Sequence, residues 1–199
     1  MKLSTVIKKG RKIIMFTTLT FLIIALIITF AQPLKYRAQA KVLVVQNFEE
    51  GTDSYSASKM NEYLSNLLAK IVSSESFYSQ STKDGFNIDT EYFSGSKKKQ
   101  MTEWNSTVQA KAIYDSGIIS LSVYHPNKQQ AENIARAVIF TLKTTNNFYH
   151  SLQNVDVRII DSPSISVLPV KPNIILNVLI GIIFGAAAGI LFVYQKHNK

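Results

Sequence analysis

The chain has 199 residues, no cysteine, 46% hydrophobic residues and a formal net charge of +9. Without cysteine, disulfide scaffolds and thiolate zinc sites are excluded. The positive charge does not mark a nucleic-acid binder, because it sits at the ends. Lys2, Lys8, Lys9, Arg11 and Lys12 precede the first apolar run, and Lys196 and Lys199 follow the last. The loop between them holds 15 basic and all 13 acidic residues and is close to neutral.

Residues 1–12 form a basic tail. Residues 13–31 (IIMFTTLTFLIIALIITFA) carry no charge and reach the roughly 20 residues a helix needs to cross about 30 Å of hydrocarbon. Positive-inside bias places the tail in the cytoplasm, although Lys35, Arg37 and Lys41 beyond the run weaken the bias. The same stretch can be read as a secretory signal cleaved at Ala38-Gln39-Ala40. The length of the run, and Lys35 and Arg37 between it and that site, favour an uncleaved anchor.

Residues 36–45 (YRAQAKVLVV) read as a strand, with Ala38, Ala40 and Val42 alternating with polar neighbours. Residues 48–58 read as a loop. Its acids Glu49, Glu50 and Asp53 match no calcium-loop spacing and are expected to be a solvated turn. A helix is predicted over 58–73, with Met60, Tyr63, Leu64, Leu67, Leu68 and Ile71 along one face. Residues 74–104 show no clear period. A short helix is predicted over 97–104, opening on Lys97, Lys98 and Lys99. That run is a candidate contact for a polyanion or lipid phosphate, set against the ordinary reading of a solvated face.

Residues 107–114 and 118–124 alternate apolar and polar around Asp115-Ser116-Gly117 and predict a hairpin. Pro126-Asn127 opens a helix, with Asn127 as N-cap and Gln130 completing a capping box. Ala131, Ile134, Ala135, Val138, Ile139 and Leu142 form its core stripe. A last strand over 155–160 is expected to end at Asp161-Ser162-Pro163. The order strand, helix, strand, strand, helix, strand predicts one α/β (α+β) domain over 32–173, a mixed sheet with helices on one face.

Pro163, Pro169 and Pro172 predict an extended, stiff connector over 163–172, and Pro172 with Asn173 marks the start of a second membrane helix over 174–194. Within it Gly181, Gly185 and Gly189 recur every four residues on one face. Such a face lets another helix approach closely. It is expected to join the second-span helices of separate copies. Asn177 either bonds across helices or reaches the interface. Residues 195–199 form a second short tail. Two spans put both termini in the cytoplasm and the domain outside it.

No set of residues for catalysis emerges. His125, His150 and His197 have no partner at metal-ligand spacing, and no Gly-rich phosphate loop, His-Glu-x-x-His or Gly-x-Ser-x-Gly occurs. Asn105-Ser106-Thr107 matches a glycosylation sequon, a frequent chance match. The expectation is a protein that is not an enzyme, with no catalytic, cofactor-binding or metal-binding residues.

Taken end to end, the chain resembles the bacterial polysaccharide co-polymerases, the chain-length determinants of O-antigen and capsule together with the tyrosine-kinase modulators. The resemblance rests on Tyr36-Arg37-Ala38 with residues 42–45, on residues 119–124 followed by Pro126 and the Ala-rich helix 131–138, and above all on 155–163 (VDVRIIDSP). Pro169-Val170-Lys171-Pro172-Asn173 then runs into a Gly-rich span. The stretch between the first helix and the hairpin is too short for the family's long helical extension, so the short capsule or exopolysaccharide form is the better match. The resemblance implies a homo-oligomer in the bacterial plasma membrane that sets polysaccharide length or export beside a polymerase or export machinery, with contacts to membrane lipid and none to nucleic acid. Two alternatives stand beside it: a transmembrane activator of a separate cytoplasmic tyrosine kinase, and a two-pass sensor or structural protein unrelated to sugars.

Overall fold

A computed structural model describes residues 3–46, 53–83, 85–145 and 155–197. Glu49, Glu50, His150 and the terminal Lys2 and Lys199 lie outside the described residues. The chain divides into two compact units. One combines residues 1–34 with 170–199; the other is residues 35–169.

The first unit consists of two helices, α1 (Leu3–Phe30) and α6 (Ile174–His197). Both contain a stretch long and apolar enough to cross a membrane, Gly10–Phe30 and Ile174–Lys196. Helix α1 begins earlier than residue 13 because the basic tail continues it. Threonines within α1 return their hydroxyls to the preceding turn. Thr18 donates to the Ile14 carbonyl at 2.7 Å and Thr20 to that of Phe16 at 2.9 Å. Such back-bonding satisfies a hydroxyl where lipid offers it no partner.

The second unit carries β1 (Tyr36–Gln46), α2 (Ser54–Ile71), α3 (Glu75–Ser81), a 3₁₀ turn (Glu91–Phe93), α4 (Lys97–Thr107), β2 (Val108–Ala112), β3 (Ile118–His125), α5 (Lys128–Thr145) and β4 (Val155–Ile165). The sheet order is β2-β3-β1-β4. This is the β-α-β-β-α-β arrangement of ferredoxin-like, split βαβ folds. The α+β class is as read from the sequence, but the sheet is antiparallel at every ladder rather than mixed. The cause is topological. Each helical crossover joins two parallel strands, and in both cases an antiparallel strand lies between them, so no parallel pair touches.

Helix α2 starts at Ser54 rather than Ser58 because Asp53 caps it. The Asp53 carboxylate accepts from the Tyr55 and Ser56 amides, each at 3.1 Å, and from the Ser56 hydroxyl at 2.7 Å. These bonds, the Ser56 hydroxyl foremost, hold its pKa below the usual carboxylate range. At α5, Asn127 caps as expected: its Oδ1 accepts from the amides of Gln129 at 2.8 Å and Gln130 at 3.3 Å. The capping box does not close. The Gln130 side chain is used elsewhere, accepting from the Asp89 amide and donating to the Asn87 carbonyl, while the Asn127 amide donates to His125 Nδ1.

Strand β4 does not stop at Ile160. It runs to Ile165, with irregularities in its register opposite Gln39 to Val42. At each irregularity β4 advances one residue more than β1, so β4 carries two bulges. Pro163 falls in the second, between Asp161 opposite Lys41 and Ser164 opposite Gln39. A bulge on an edge strand asks for no ladder donor there, which is where proline is tolerated. Pro163 therefore belongs to the sheet and not to a free connector. Past the strand, Ser166 remains tied to β1: its amide donates to the Arg37 carbonyl at 2.8 Å, and its Oγ accepts from the Arg37 amide at 3.0 Å. In the hairpin, Gly117 has φ +64°, and a Cβ there would stand 3.1 Å from both the Val44 carbonyl oxygen and Asn61 Cβ. Glycine is needed for conformation and for space.

The core lies between one face of the sheet and the helices. Ala38, Ala40, Val42 and Val44 of β1, and Ile119, Leu121 and Val123 of β3, meet Leu64 and Leu68 of α2 and the α5 stripe. The segment without a sequence period supplies an aromatic cluster to this core. Tyr78 meets Phe93 and Trp104 edge to face at 5.7 and 5.1 Å, and Trp104 Nε1 donates to the Val72 carbonyl at 2.8 Å.

His125 is buried at the end of β3 against the Tyr92 ring, centroids 4.3 Å apart. The Asn127 amide donates to its Nδ1 at 3.0 Å, so the neutral ring carries its proton on Nε2, which has no protein partner among the described residues. Burial lowers its pKa; the Asn127 carbonyl and Asp89 act the other way, and Lys35 reinforces the lowering. The unfolded chain then binds a proton near pH 6.5 that the folded one refuses. Stability is full above that pH and falls as pH drops through it. Urea midpoints of the α+β domain, read by tryptophan fluorescence at pH 7.5 and 5.5, should fall with acid, and His125→Gln should flatten the difference.

Candidate functional site: the helix pair and the open sheet face

The structure places the three span glycines against α1 of the same chain. A Cβ built on Gly181 would lie 2.9 Å from Ala25 Cβ, and one on Gly185 only 2.7 Å from Thr18 Cα and 2.9 Å from Phe21 Cβ. One on Gly189 would lie 2.8 Å from Ile14 Cα. The small-residue face is therefore filled within the chain, whereas the glycine spacing by itself suggests a seam between copies. The physical reason is proximity: α1 runs antiparallel beside α6 and offers its own small or notched positions. Gly10 faces Val193 at one end of this seam. At the other end Asn177 Nδ2 donates to Thr29 Oγ1 at 3.0 Å, so the amide bonds across helices. Midway, Thr17 Oγ1 lies 3.1 Å from the Gly185 carbonyl, which accepts from it. Sequence reasoning does not single out Gly10, Thr17 and Thr29; their spacing on α1, complementary to the glycines, is the signal that could have found them.

Of the connector residues, Pro163 is in β4, and Pro169 and Pro172 follow in the irregular stretch before α6. Asn173 caps α6: its Oδ1 accepts from the Leu176 amide at 3.1 Å. Lys97, Lys98 and Lys99 form the first turn of α4, capped by Ser96 Oγ, which accepts from the Lys99 amide at 3.3 Å. Lys97 pairs with Glu75 at 2.7 Å, and that bond raises its pKa. Both groups are exposed, so the pair adds little to stability. All three lysines are exposed, at successive positions of the helix.

Among the described residues, the second face of the sheet bears no helix. Along β1 the residues alternating with the core are Arg37, Gln39, Lys41, Leu43 and Val45; along β3 they are Ile118, Ser120, Ser122 and Tyr124. The ladders align them in rows, two of which cross all four strands. Lys111, Ser120, Lys41 and Asp161 form one row; Gln109, Ser122, Gln39 and Ser164 form the next. Lys41 and Asp161 are paired at 3.0 Å. Because β4 bulges here, it opens a cleft of about 510 Å³ lined by Gln39, Lys41, Ile160, Asp161, Ser162 and Ser164. A smaller recess of about 120 Å³, lined by Arg37, Gln39, Ser164 and Ser166, continues it. Arg37 Nε is buried and has no hydrogen-bond partner among the described residues. Among those residues, no group of three His, Asp or Glu could hold a metal ion.

Two apolar helices packed into a hairpin, flanking a ferredoxin-like α+β domain, define a class of membrane protein with one large domain between its spans. Residues 1–84 match the family described as Wzz, chain length determinant protein. Over 199 residues the chain is 25% identical to the capsular polysaccharide type 5 biosynthesis protein cap5A of Staphylococcus aureus strain Newman, covering 98% of this chain and 83% of the relative. It is 24% identical over 202 residues to the capsular polysaccharide biosynthesis protein CapA of S. aureus strain COL, covering 98% and 84%. The type 8 protein cap8A of S. aureus is 24% identical over 199 residues, covering 98% and 83%.

Proposed function

We propose that this chain is a non-enzymatic regulator of the length or export of a capsular polysaccharide. The observation that carries the reading is the near-complete overlap with capsular polysaccharide biosynthesis proteins, 98% of this chain against 83% of the relative. The described residues present a polar sheet face and a helix pair packed within the chain.

In this reading both tails lie in the cytoplasm, following the five basic residues ahead of the first span, and the α+β domain stands outside the membrane. Several copies assemble beside the polymerase or exporter. The stretch from Pro169 to Asn173 carries the position of the outer domain to α6. Deleting the gene should leave polymer synthesis running while shifting its size distribution, read on gels of surface polysaccharide. Total loss of polymer would favour the activator of a separate tyrosine kinase. An unchanged distribution would reject any role in polysaccharide.

A further inference from the structure

We propose that the open face of the sheet is a binding surface for an anionic polysaccharide chain, seated in the cleft between β1 and the bulged β4. The inference rests on the reading of the protein as a polysaccharide regulator and adds where, and by what chemistry, the polymer is held. Three observations carry it.

The first is composition. In the two central rows every outward residue is a lysine, serine, glutamine or aspartate, and none is a large apolar side chain. Protein interfaces are anchored by desolvated aromatic and aliphatic groups and deplete lysine and serine. These two rows have the opposite makeup, with Leu43, Ile118 and Tyr124 confined to the rows on either side, so a second copy of the chain is a poor occupant of the rows themselves. A polyhydroxylated chain is a good one: serine hydroxyls and glutamine amides both donate and accept, as sugar hydroxyls do.

The second is charge. In these two rows Lys41 and Lys111 stand against one acid, Asp161, and Arg37 lies beside them, opposite Tyr124 in the next row. Asp161 occupies only Lys41. The excess is positive and favours a glycan bearing carboxylates. Arg37 adds a specific donor, since its buried Nε lacks an acceptor among the described residues. A carboxylate or hydroxyl oxygen entering the smaller recess would supply it.

The third is shape. The bulges make a concave surface of about 510 Å³ on what would otherwise be a flat sheet, within the range of ligand sites. Adjacent strands are about 4.8 Å apart, close to the advance of one sugar ring along a glycan. A chain lying across the strands along a row therefore meets a new polar side chain at each sugar.

The chain has no cysteine, so Ser122→Cys places a single thiol on this face. In the full-length protein in detergent, an oligogalacturonate should slow maleimide labelling of that thiol in a saturable way. Dextran of similar length should protect it far less. Adding Lys111→Glu, at an exposed position, or Lys41→Gln should move the half-protecting concentration up about tenfold. Equal protection by dextran would overturn the anionic assignment. No protection by either polymer would overturn the site. Disulfide formation between copies would identify the face as a protein contact and also overturn it. A deletion strain with altered polymer length, beside unprotected thiols and a wild-type distribution in Lys111→Glu, would sink this proposal alone. No phenotype on deletion would instead remove the reading beneath it.

Discussion

Gly185→Leu should pry the membrane hairpin apart. Even a single Cβ at that position would stand 2.7 Å from the α1 backbone at Thr18 and 3.1 Å from the Thr17 carbonyl oxygen. Backbone cannot swing aside as a long side chain can, so the helices must separate and the seam opens on both sides. Overpacking of this kind costs up to about 3 kcal/mol, and close van der Waals packing is what holds helices together in lipid. The measurement uses a cysteine pair in place of Thr29 and Asn177, whose side chains meet at 3.0 Å. Its intramolecular disulfide yield should fall severalfold with Gly185→Leu and stay unchanged with Ile183→Leu, whose side chain is exposed on α6. An undiminished yield would show that the glycine face is not what holds this pair. A disulfide formed mainly between copies would restore the intermolecular role that the glycine spacing alone suggests.

Trp104→Ala should be the most damaging single change in the α+β domain. Trp104 is fully buried, touches Tyr78 and Phe93, and gives its indole N–H to the Val72 carbonyl. Removing it leaves a large cavity and an unpaired carbonyl at once, a loss of about 3–5 kcal/mol. Against a total of about 5–15 kcal/mol for a domain, that is a large share. Trp104→Phe keeps most of the volume and forfeits the hydrogen bond, for about 1–3 kcal/mol. Circular dichroism during urea unfolding should show the midpoints in the order wild type, Trp104→Phe, Trp104→Ala. Similar midpoints for all three would mean that the cluster packs loosely.

The importance of Trp104 is not readable in the sequence, and the reason is physical. Its partners Tyr78 and Phe93 come from a seven-residue helix and a 3₁₀ turn. Pieces that short complete too few turns to show a period. Where elements are long, the pattern is readable: the α5 stripe, the hairpin strands and both apolar runs follow from spacing alone. The end of β4 is misplaced by sequence reasoning because Asp161-Ser162-Pro163 has turn chemistry, and a pair of bulges absorbs it without leaving the sheet. The open face illustrates a different limit. Its serines, glutamines and lysines look like the ordinary solvent side of alternating strands. Only the register lines them into rows, and only the bulges hollow the surface beneath them.

Those bulges also constrain how copies can meet. A regular edge strand invites another strand to continue the sheet, and such growth has no natural end. Here one border of the sheet is β4, interrupted twice and carrying Pro163; the other is β2, only five residues long and bearing Lys111. Neither offers a run of free amides and carbonyls long enough to template a neighbour. Any assembly of this domain is thereby steered toward side-by-side meetings of finished surfaces, the kind that can close into a ring of fixed number and stop.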